Sequence, residues 1–175
     1  MNTFSDLVRD YHVCRHFAKR PIDAESVELL LRSALSATVF KGGRDVHLVV
    51  VDEAHLIEKI ADANAECSMF LAGAPLVVAI LCSDLDNDLW VEDCSSVASV
   101  LAYQAEELGL GSCCARIKGL WLSDGTSSET VIRGVLGIPD EYKVLCVVGL
   151  GYEADACEGQ ADEDLLWENV HINTF

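Results

Sequence analysis

The sequence predicts an α+β fold with a central mixed or antiparallel sheet flanked by helices. Amphipathic helical segments are interspersed with short, strongly apolar runs, but their order is not a strict βαβ alternation. Apolar residues make up 51% of the 175 residues, so we expect apolar surface to be buried against a second subunit. No internal repeat or linker interrupts the chain. We therefore expect a single domain over residues 1–175.

The first half of the chain combines three helical patterns with one strand. Apolar residues of helical period predict a helix over 3–11. A second helix is expected over 23–36, where the first residue, an aspartate, is a suitable N-cap. The β-branched run 46–51 predicts a strand. Further helical segments are expected over 53–63 and 65–72.

The second half contains the most apolar strand and the longest helix. The run after Pro75 is apolar at every position, which is typical of a strand buried on both faces. Gly109 is a candidate C-cap for the long helix. The predicted elements are a strand at 76–82, a helix at 92–108, a strand at 111–117, a helix at 126–136 and a strand at 143–151.

The C-terminal part of the sequence changes character twice. Residues 153–168 are acidic, and we expect them to form a solvated connection. The tail 167–175 is rich in apolar residues, which is unusual for a terminus. A tail of this kind is expected to dock on another surface.

The charge and the length of the apolar runs limit the partners. A net charge of −17 argues against nucleic acid or an anionic membrane, since both require basic patches. The run 74–82 is about half the length of a membrane-spanning helix, and no secretory signal is visible, so we expect a cytoplasmic protein. Seven of the twelve Lys and Arg lie in the first 44 residues. An anion is therefore expected to bind near the N-terminal segment.

Eight cysteines raise the question of a metal site. The sequence contains no C-x-x-C, and the adjacent pair Cys113–Cys114 does not easily chelate one ion from a strand. Cys82, Cys113 and Cys146 lie in apolar runs, where a reduced thiol packs as a small hydrophobe. We therefore predict core-filling thiols in a reducing compartment rather than a metal site.

Several segments, taken in order, carry a resemblance to a known family. They are Arg15–Phe17 followed by Pro21–Ile22, then 108–113, 136–140 and 147–152, and finally Val170–His171 before a terminal aromatic residue. On these segments the chain resembles the FMN-dependent nitroreductase family, and the resemblance covers nearly its whole length.

The resemblance implies a fold, an assembly and an activity. It implies a nitroreductase-like homodimer with FMN at the subunit interface and a C-terminal segment exchanged with the partner. It implies an oxidoreductase that uses NAD(P)H to reduce nitroaromatic, quinone or similar conjugated acceptors by a ping-pong mechanism. In such an enzyme the flavin carries the electron chemistry, and the protein supplies binding, orientation and electrostatics.

The resemblance also implies which residues contact the flavin. Arg15 matches a cation near the N1–C2=O edge of the ring, where it would stabilise developing negative charge; the alternative is a solvent-facing arginine. His12 matches a contact on the ribityl-phosphate side, although a lone histidine is often structural. Cys114, Ala115 and Arg116 occupy the segment whose backbone faces N5, and Arg116 would add a cation there or pair with an acid.

The sequence departs from the family at the phosphate-binding positions. Tyr11 and Val13 occupy positions where the family commonly has arginine and serine. Residues 38–45 take the place of the polar stretch that follows the second helix in the family. Lys41 and Arg44 flank two glycines and are candidates to supply the missing cations, because a phosphomonoester needs cations or helix N-termini. The alternative is an ordinary turn with solvated charges.

Three hypotheses about function remain open at this point. The first is an FMN-dependent oxidoreductase, which predicts co-purifying flavin and NAD(P)H-driven reduction of quinones or nitroaromatics. The second is a binding or regulatory dimer of the same fold that has lost FMN or holds a different ligand, motivated by the altered phosphate contacts. The third is a storage or transfer protein that binds flavin or another aromatic and does not react with reduced nicotinamides.

Overall fold

A computed structural model describes residues 3–37, 45–64, 68–83, 88–155 and 165–175. The candidate phosphate contacts Lys41 and Arg44 lie outside these described residues.

The described core is a four-stranded antiparallel sheet in the order β1-β2-β4-β3. Its strands are β1 (Val46–Val51), β2 (Leu76–Cys82), β3 (Gly111–Arg116) and β4 (Lys143–Gly151). Every residue of β2 is buried, because β2 lies between two strands and is covered on both faces. One isolated parallel bridge, between Val13 and Ser112, joins the N-terminal segment to the outer edge of β3. Of the mixed and antiparallel arrangements expected, the four strands adopt the antiparallel one.

The described residues form five α-helices with bounds close to the expected ones. They are α1 (Phe4–Asp10), α2 (Ala24–Leu35), α3 (Ala54–Ala61), α4 (Trp90–Glu107) and α5 (Ser128–Leu136). Of the helix expected over 65–72, residues 65–67 lie outside the described residues, Ser68 is helical, and the rest belongs to a 3-10 turn at Met69–Gly73. Pro75 follows closely and disfavours helical geometry at Ala74, which is extended, so the turn does not grow into an α-helix.

Local capping explains where the helices begin and end. The side chain of Asp23 accepts a hydrogen bond from the backbone N–H of Ser26 at the start of α2, as the sequence predicts. Gly109 follows α4 with a φ of +68°, a left-handed conformation that favours glycine. Leu108 is the C-cap residue of α4, so Gly109 ends the helix one position later than predicted.

The sheet separates two apolar cores. Helices α3 and α5 and the 3-10 turn pack on one face, together with Val77 and Val147. Helices α2 and α4 pack on the other face, together with Val78 and Val148. This alternation follows from the two-residue period of the strands and explains why β2 is apolar throughout. The buried thiols Cys82, Cys113 and Cys146 confirm the predicted core-filling cysteines.

The segment between α1 and α2 is held tightly against β3 and β4. The backbone N–H of Cys14 donates to the carbonyl of Ser112 at 2.9 Å, and that of Ala18 donates to the carbonyl of Tyr152 at 2.7 Å. Gly111 permits this approach, because a Cβ at that position would lie 2.5 Å from the Cβ of Cys14. The segment thereby fixes the backbone position of Arg15.

The C-terminal tail lies apart from both cores. Every residue of 165–175 is exposed, including Trp167 at 69% and Ile172 at 81%. Within the described ranges, no helix has the length and apolar character needed to cross a membrane.

Candidate functional site

Two adjoining cavities lie along the exposed side of β3. The first, here called the large cleft, has a volume of about 1310 Å³. The second, here called the small cavity, has a volume of about 430 Å³. Both are lined by Tyr11, Cys114, Arg116 and Lys118, so this row of side chains forms their common border. Their volumes are suited to small-molecule ligands.

The large cleft combines apolar walls with positive charge. The segment 13–17 forms one wall, and the turn Met69–Gly73 contributes Phe70 to another. Arg15, Arg116 and Lys118 supply cationic side chains. The chain as a whole carries a net charge of −17, whereas this cleft concentrates cationic side chains. The cleft therefore favours an anionic or electron-rich ligand.

Arg15 is positioned by the backbone contacts of its segment with Ser112 on β3. Its exposed side chain lines the large cleft, as does Cys113. Burial raises the pKa of Cys113 to about 11, although the Arg15 cation acts in the opposite direction. The thiol of Cys113 is therefore neutral.

Alternation along β3 divides the predicted segment 114–116 between two faces. Cys114 and Arg116 are exposed and line both cavities. Ala115 is fully buried in the core on the other face. Only the backbone of Ala115 is therefore available to a ligand in the cleft, and its proposed flavin contact would be a backbone contact.

A second thiol lies behind Cys114. Cys146 of β4 is buried and lines the small cavity together with Cys114. Interaction with Cys146 and with the Arg116 cation lowers the pKa of Cys114, although desolvation opposes the shift. Interaction with Cys114, together with burial, raises the pKa of Cys146 well above its usual value.

His12 is engaged away from both cavities. Its Nδ1 lies 3.1 Å from the carbonyl oxygen of Asp10, and its Nε2 lies 2.7 Å from Oε1 of Glu153. Burial alone would lower the pKa of His12, but the Asp10 carbonyl and the charges of Glu153 and Glu106 raise it overall. His12 is not among the residues that line the large cleft or the small cavity. Its predicted ribityl-phosphate contact stays a prediction.

Tyr11 is a cavity residue that the sequence did not single out as a contact. Its ring lies edge-on to Tyr103 with centroids 5.4 Å apart. Burial raises the pKa of Tyr11, so the hydroxyl is neutral. Where the family commonly places a cation, this chain therefore presents a fixed, uncharged phenol.

Lys118 is a second residue that sequence reasoning missed. It follows Arg116 by two positions, and that spacing in an extended segment predicts a shared face. The backbone N–H groups of Ile117 and Lys118 both donate to the carbonyl of Leu145, which anchors the segment to β4. The ammonium of Lys118 lies 5.0 Å from the centroid of the Trp90 ring.

Comparison with known proteins identifies the class of this fold and site. The sequence matches no family model. The chain is 30% identical to an FMN-dependent nitroreductase from Clostridium difficile R20291, with a TM-score of 0.93 over 97% of this chain and 98% of that one. It is also 28% identical, over 90% of each chain, to a protein from Archaeoglobus fulgidus provisionally named an NADH dehydrogenase/NAD(P)H nitroreductase.

A more distant solved structure supports the fold alone. The NADPH:FMN oxidoreductase of Vibrio harveyi, whose structure was determined with NAD⁺, is 19% identical with a TM-score of 0.80, over 98% of this chain and 77% of that chain. Taken with the close structural and sequence match to the Clostridium protein, the antiparallel sheet and the cleft beside β3 define the class. The chain belongs to the nitroreductase family.

Proposed function

We propose that the protein is an FMN-dependent oxidoreductase that uses NAD(P)H to reduce nitroaromatic, quinone or similar conjugated acceptors. One observation carries the proposal: Arg15, Arg116 and Lys118 together line a cleft of about 1310 Å³ beside β3. Two relatives support it, because the Clostridium protein is named FMN-dependent and the Archaeoglobus protein is named for NAD(P)H.

The residues of the large cleft fit a flavin in both charge and shape. The apolar side chains of Val13 and Phe70 suit a planar ring system, and the cations suit its electron-rich edge and its phosphate. When bound, FMN would supply the capacity to take up electrons from a reduced nicotinamide and pass them to an acceptor. Arg15 would stabilise the negative charge that a reduced ring carries, because a fixed cation requires no reorganisation.

The remaining residues of the cleft define the substrate class. Apolar walls around a flat ligand favour planar, conjugated acceptors over flexible polar ones. Arg116 and Lys118 would orient a carbonyl or nitro oxygen, since both present N–H donors to the border of the two cavities. If donor and acceptor bind in turn at this one cleft, the reaction is ping-pong.

We further propose that the working form is a homodimer. The exposed apolar tail 165–175 supports this assembly, because it includes Trp167 and Ile172 and none of its residues is buried by its own chain. The tail would be exchanged with the partner, and FMN would lie at the interface. The described cysteines are all free thiols, which is consistent with the cytoplasm.

One observation favours a second candidate function. Tyr11 and Val13 line the large cleft at the positions where the family commonly has arginine and serine. Neither residue supplies the cation or the aliphatic hydroxyl that would bind a phosphate there. The alternative is a nitroreductase-fold dimer that has given up FMN or holds a different ligand, with a binding or regulatory role.

The visible absorption spectrum of the purified protein distinguishes these candidates. We would record it before and after dialysis against excess FMN, in parallel with Arg15→Ala and with Arg32→Ala. Arg32 is an exposed arginine that pairs with Glu28 on α2, so it controls for loss of charge alone. Bound flavin in the wild type and in Arg32→Ala, with weaker binding in Arg15→Ala, supports the enzyme. No flavin in any sample favours the alternative.

A further inference from the structure

We propose that His12 and Glu153 form a pH-sensitive clasp that holds Arg15 at the wall of the large cleft, so that protonation of His12 tightens the binding of flavin. In this role His12 is a positioning residue, because it acts through Arg15. Such regulation by pH rests on the flavin site proposed above. The clasp is formed within one chain, so it can also be tested without flavin.

Glu153 holds the segment around Arg15 at two points. Its backbone forms a bridge with Phe17, two residues after Arg15. Its Oε1 lies 2.7 Å from Nε2 of His12, three residues before Arg15. One residue just after β4 therefore contacts the chain on both sides of Arg15.

The edge of β3 leaves room for the side chain of Glu153. A Cβ at Gly111 would lie 2.9 Å from Cγ of Glu153 and 2.5 Å from Cβ of Cys14. Only glycine therefore permits both close contacts. The side chain of Glu153 lies against Gly111 and reaches His12 from there, so packing as well as charge sets its position.

Three elements adjoin His12. At the end of α1, the carbonyl oxygen of Asp10 lies 3.1 Å from Nδ1, while the carboxylate of Asp10 is paired with Arg9. On α4, the carboxyl of Glu106 interacts with both His12 and Glu153. Strand β3 begins with a glycine and a serine, which carry no charge. His12 is thus the base of a group that contains two carboxyls besides that of Asp10.

Protonation of His12 favours the closed clasp. Burial lowers the pKa of His12, but the carbonyl of Asp10 and the charges of Glu153 and Glu106 raise it overall. The closed clasp therefore binds the proton more tightly than the open segment does. Its contribution is fully present below the pKa of the open segment, about 6.5, and is lost as the pH rises through the raised pKa.

The clasp acts on one of the three cations that line the large cleft. Arg15 belongs to the clasped segment, whereas Arg116 lies on β3. Lys118 is anchored separately, because its backbone N–H donates to the carbonyl of Leu145. Opening of the clasp would release Arg15 and leave the other two cations in place. We therefore expect flavin to bind more weakly at high pH without being lost.

The affinity for FMN on both sides of this pH window, measured by flavin fluorescence, tests the regulation. Each variant is compared with the wild type at the same pH, so the ionisation of FMN itself cancels. His12→Gln should weaken binding on the acid side by up to about tenfold for each pH unit by which the clasp raises the pKa of His12, and little on the alkaline side. His16→Gln is the control, because its pair with Asp155 is exposed, and it should match the wild type throughout.

Glu153→Gln separates a clasp from a direct contact between His12 and the ligand. If His12 bound the phosphate itself, the loss of a neighbouring carboxylate would leave FMN binding unchanged or make it stronger, since a negative charge is removed. The clasp predicts weaker binding on the acid side, and a double variant with His12→Gln no weaker than the weaker single variant. Unchanged or stronger binding in Glu153→Gln overturns the clasp.

Backbone amide exchange of the full-length protein, with and without FMN, tests the clasp independently of flavin affinity. The reporters are the N–H groups of Cys14, Ala18 and Ala154, which hold the segment in place. After correction for intrinsic rates, their protection in the wild type should fall as the pH rises, and in His12→Gln it should be low at every pH. Protection that does not depend on pH in the wild type overturns the clasp. The expected protection in a protein that binds no flavin at any pH supports the clasp and counts against the proposed function.

Discussion

His12 Nε2 lies 2.7 Å from Oε1 of Glu153, so the segment after α1 contacts a residue that lies just after β4. The other ring nitrogen, Nδ1, faces the carbonyl oxygen of Asp10 at 3.1 Å. The contact of Nε2 with the carboxylate is an ion pair by distance rather than a hydrogen bond of good geometry, and it is favourable when the ring is protonated. The contact ties the segment that carries Arg15 to the residues that follow β4.

The first prediction concerns the pH dependence of stability. Because the folded-state pKa of His12 is raised, its contribution is fully present below the unfolded pKa of about 6.5 and is lost as the pH rises through the folded pKa. His12→Gln should therefore cost on the order of 1 kcal/mol in the free energy of unfolding on the acid side of this window and less on the alkaline side. Urea unfolding on both sides of the window measures the difference.

His16→Gln is the matched control for this prediction. His16 also pairs with an acid, Asp155, at 3.4 Å, but both side chains are more than 70% exposed. Removal of this pair should change the stability little at either pH. A cost for His12→Gln that is equal at both pH values would show that packing, rather than charge, is lost.

The strands illustrate what the sequence predicts well. The bounds of β1, β2 and β4 match the expected ranges, because each is dominated by β-branched or other apolar residues. Helix boundaries shift by one or two residues; α4 begins at Trp90 without a side-chain cap, and α5 begins at Ser128 after the N-cap Ser127. The expected helix over 65–72 differs from Met69 onward, where a 3-10 turn forms; its apolar residues are typical of a helix, but the backbone is already extended at Ala74, before Pro75.

Local sequence patterns do not show which distant residues come together at the candidate site. The family resemblance drew attention to Arg15 and Cys114, and both line the large cleft. Which thiols line the same cavities, Cys113 and Cys146, depends on which strands lie side by side and in which register. Likewise, Glu153 reaches His12 only because β4 ends beside the N-terminal segment. Such long-range pairing follows from the tertiary fold and has no sequence periodicity of its own.

The second prediction tests the close approach of the N-terminal segment. In Gly111→Ala, the new Cβ would lie 2.5 Å from the Cβ of Cys14 and 2.7 Å from its sulfur, so the backbone must shift. We expect a loss of about 1–3 kcal/mol in the free energy of unfolding, measured by urea denaturation. Arg15 would be displaced along with the segment, so flavin binding should weaken in parallel.

Gly134→Ala is the matched control within the same chain. Gly134 lies exposed in α5 with no atom within 4 Å of an added Cβ. Alanine should stabilise this helix by about 0.5–1 kcal/mol, because it restricts the unfolded chain and favours helical geometry. Equal effects at the two glycines would contradict the packing assigned to Gly111.

The third prediction concerns the role of Arg15 in redox chemistry. Arg15→Ala should lower the reduction potential of bound flavin and slow the reductive half-reaction, because it removes the cation that stabilises a reduced ring. The stability should change by no more than about 0.5 kcal/mol, since the side chain is exposed. Potentiometric titration and stopped-flow reduction by NADH measure the effect. Reduction at the wild-type rate and potential would place Arg15 away from the N1–C2=O edge.

The fourth prediction concerns the C-terminal tail. Deletion of residues 165–175 removes a segment in which every residue is exposed, so the helices and the sheet of one subunit should remain intact. Far-UV circular dichroism should therefore change little. If the tail instead docks on a partner, the truncated protein should sediment as a monomer at concentrations where the wild type is a dimer.

A pair of tryptophan variants separates tail docking from a general loss of apolar surface. Trp167 in the tail and Trp121 after β3 are 69% and 66% exposed in the single chain. Trp167→Ala should weaken the dimer, because a buried aromatic anchor at an interface commonly contributes more than 1 kcal/mol, whereas Trp121→Ala should leave its dissociation constant unchanged. A dimer that survives both the deletion and Trp167→Ala would exclude the tail as its main contact and would direct attention to the exposed small residues of α4.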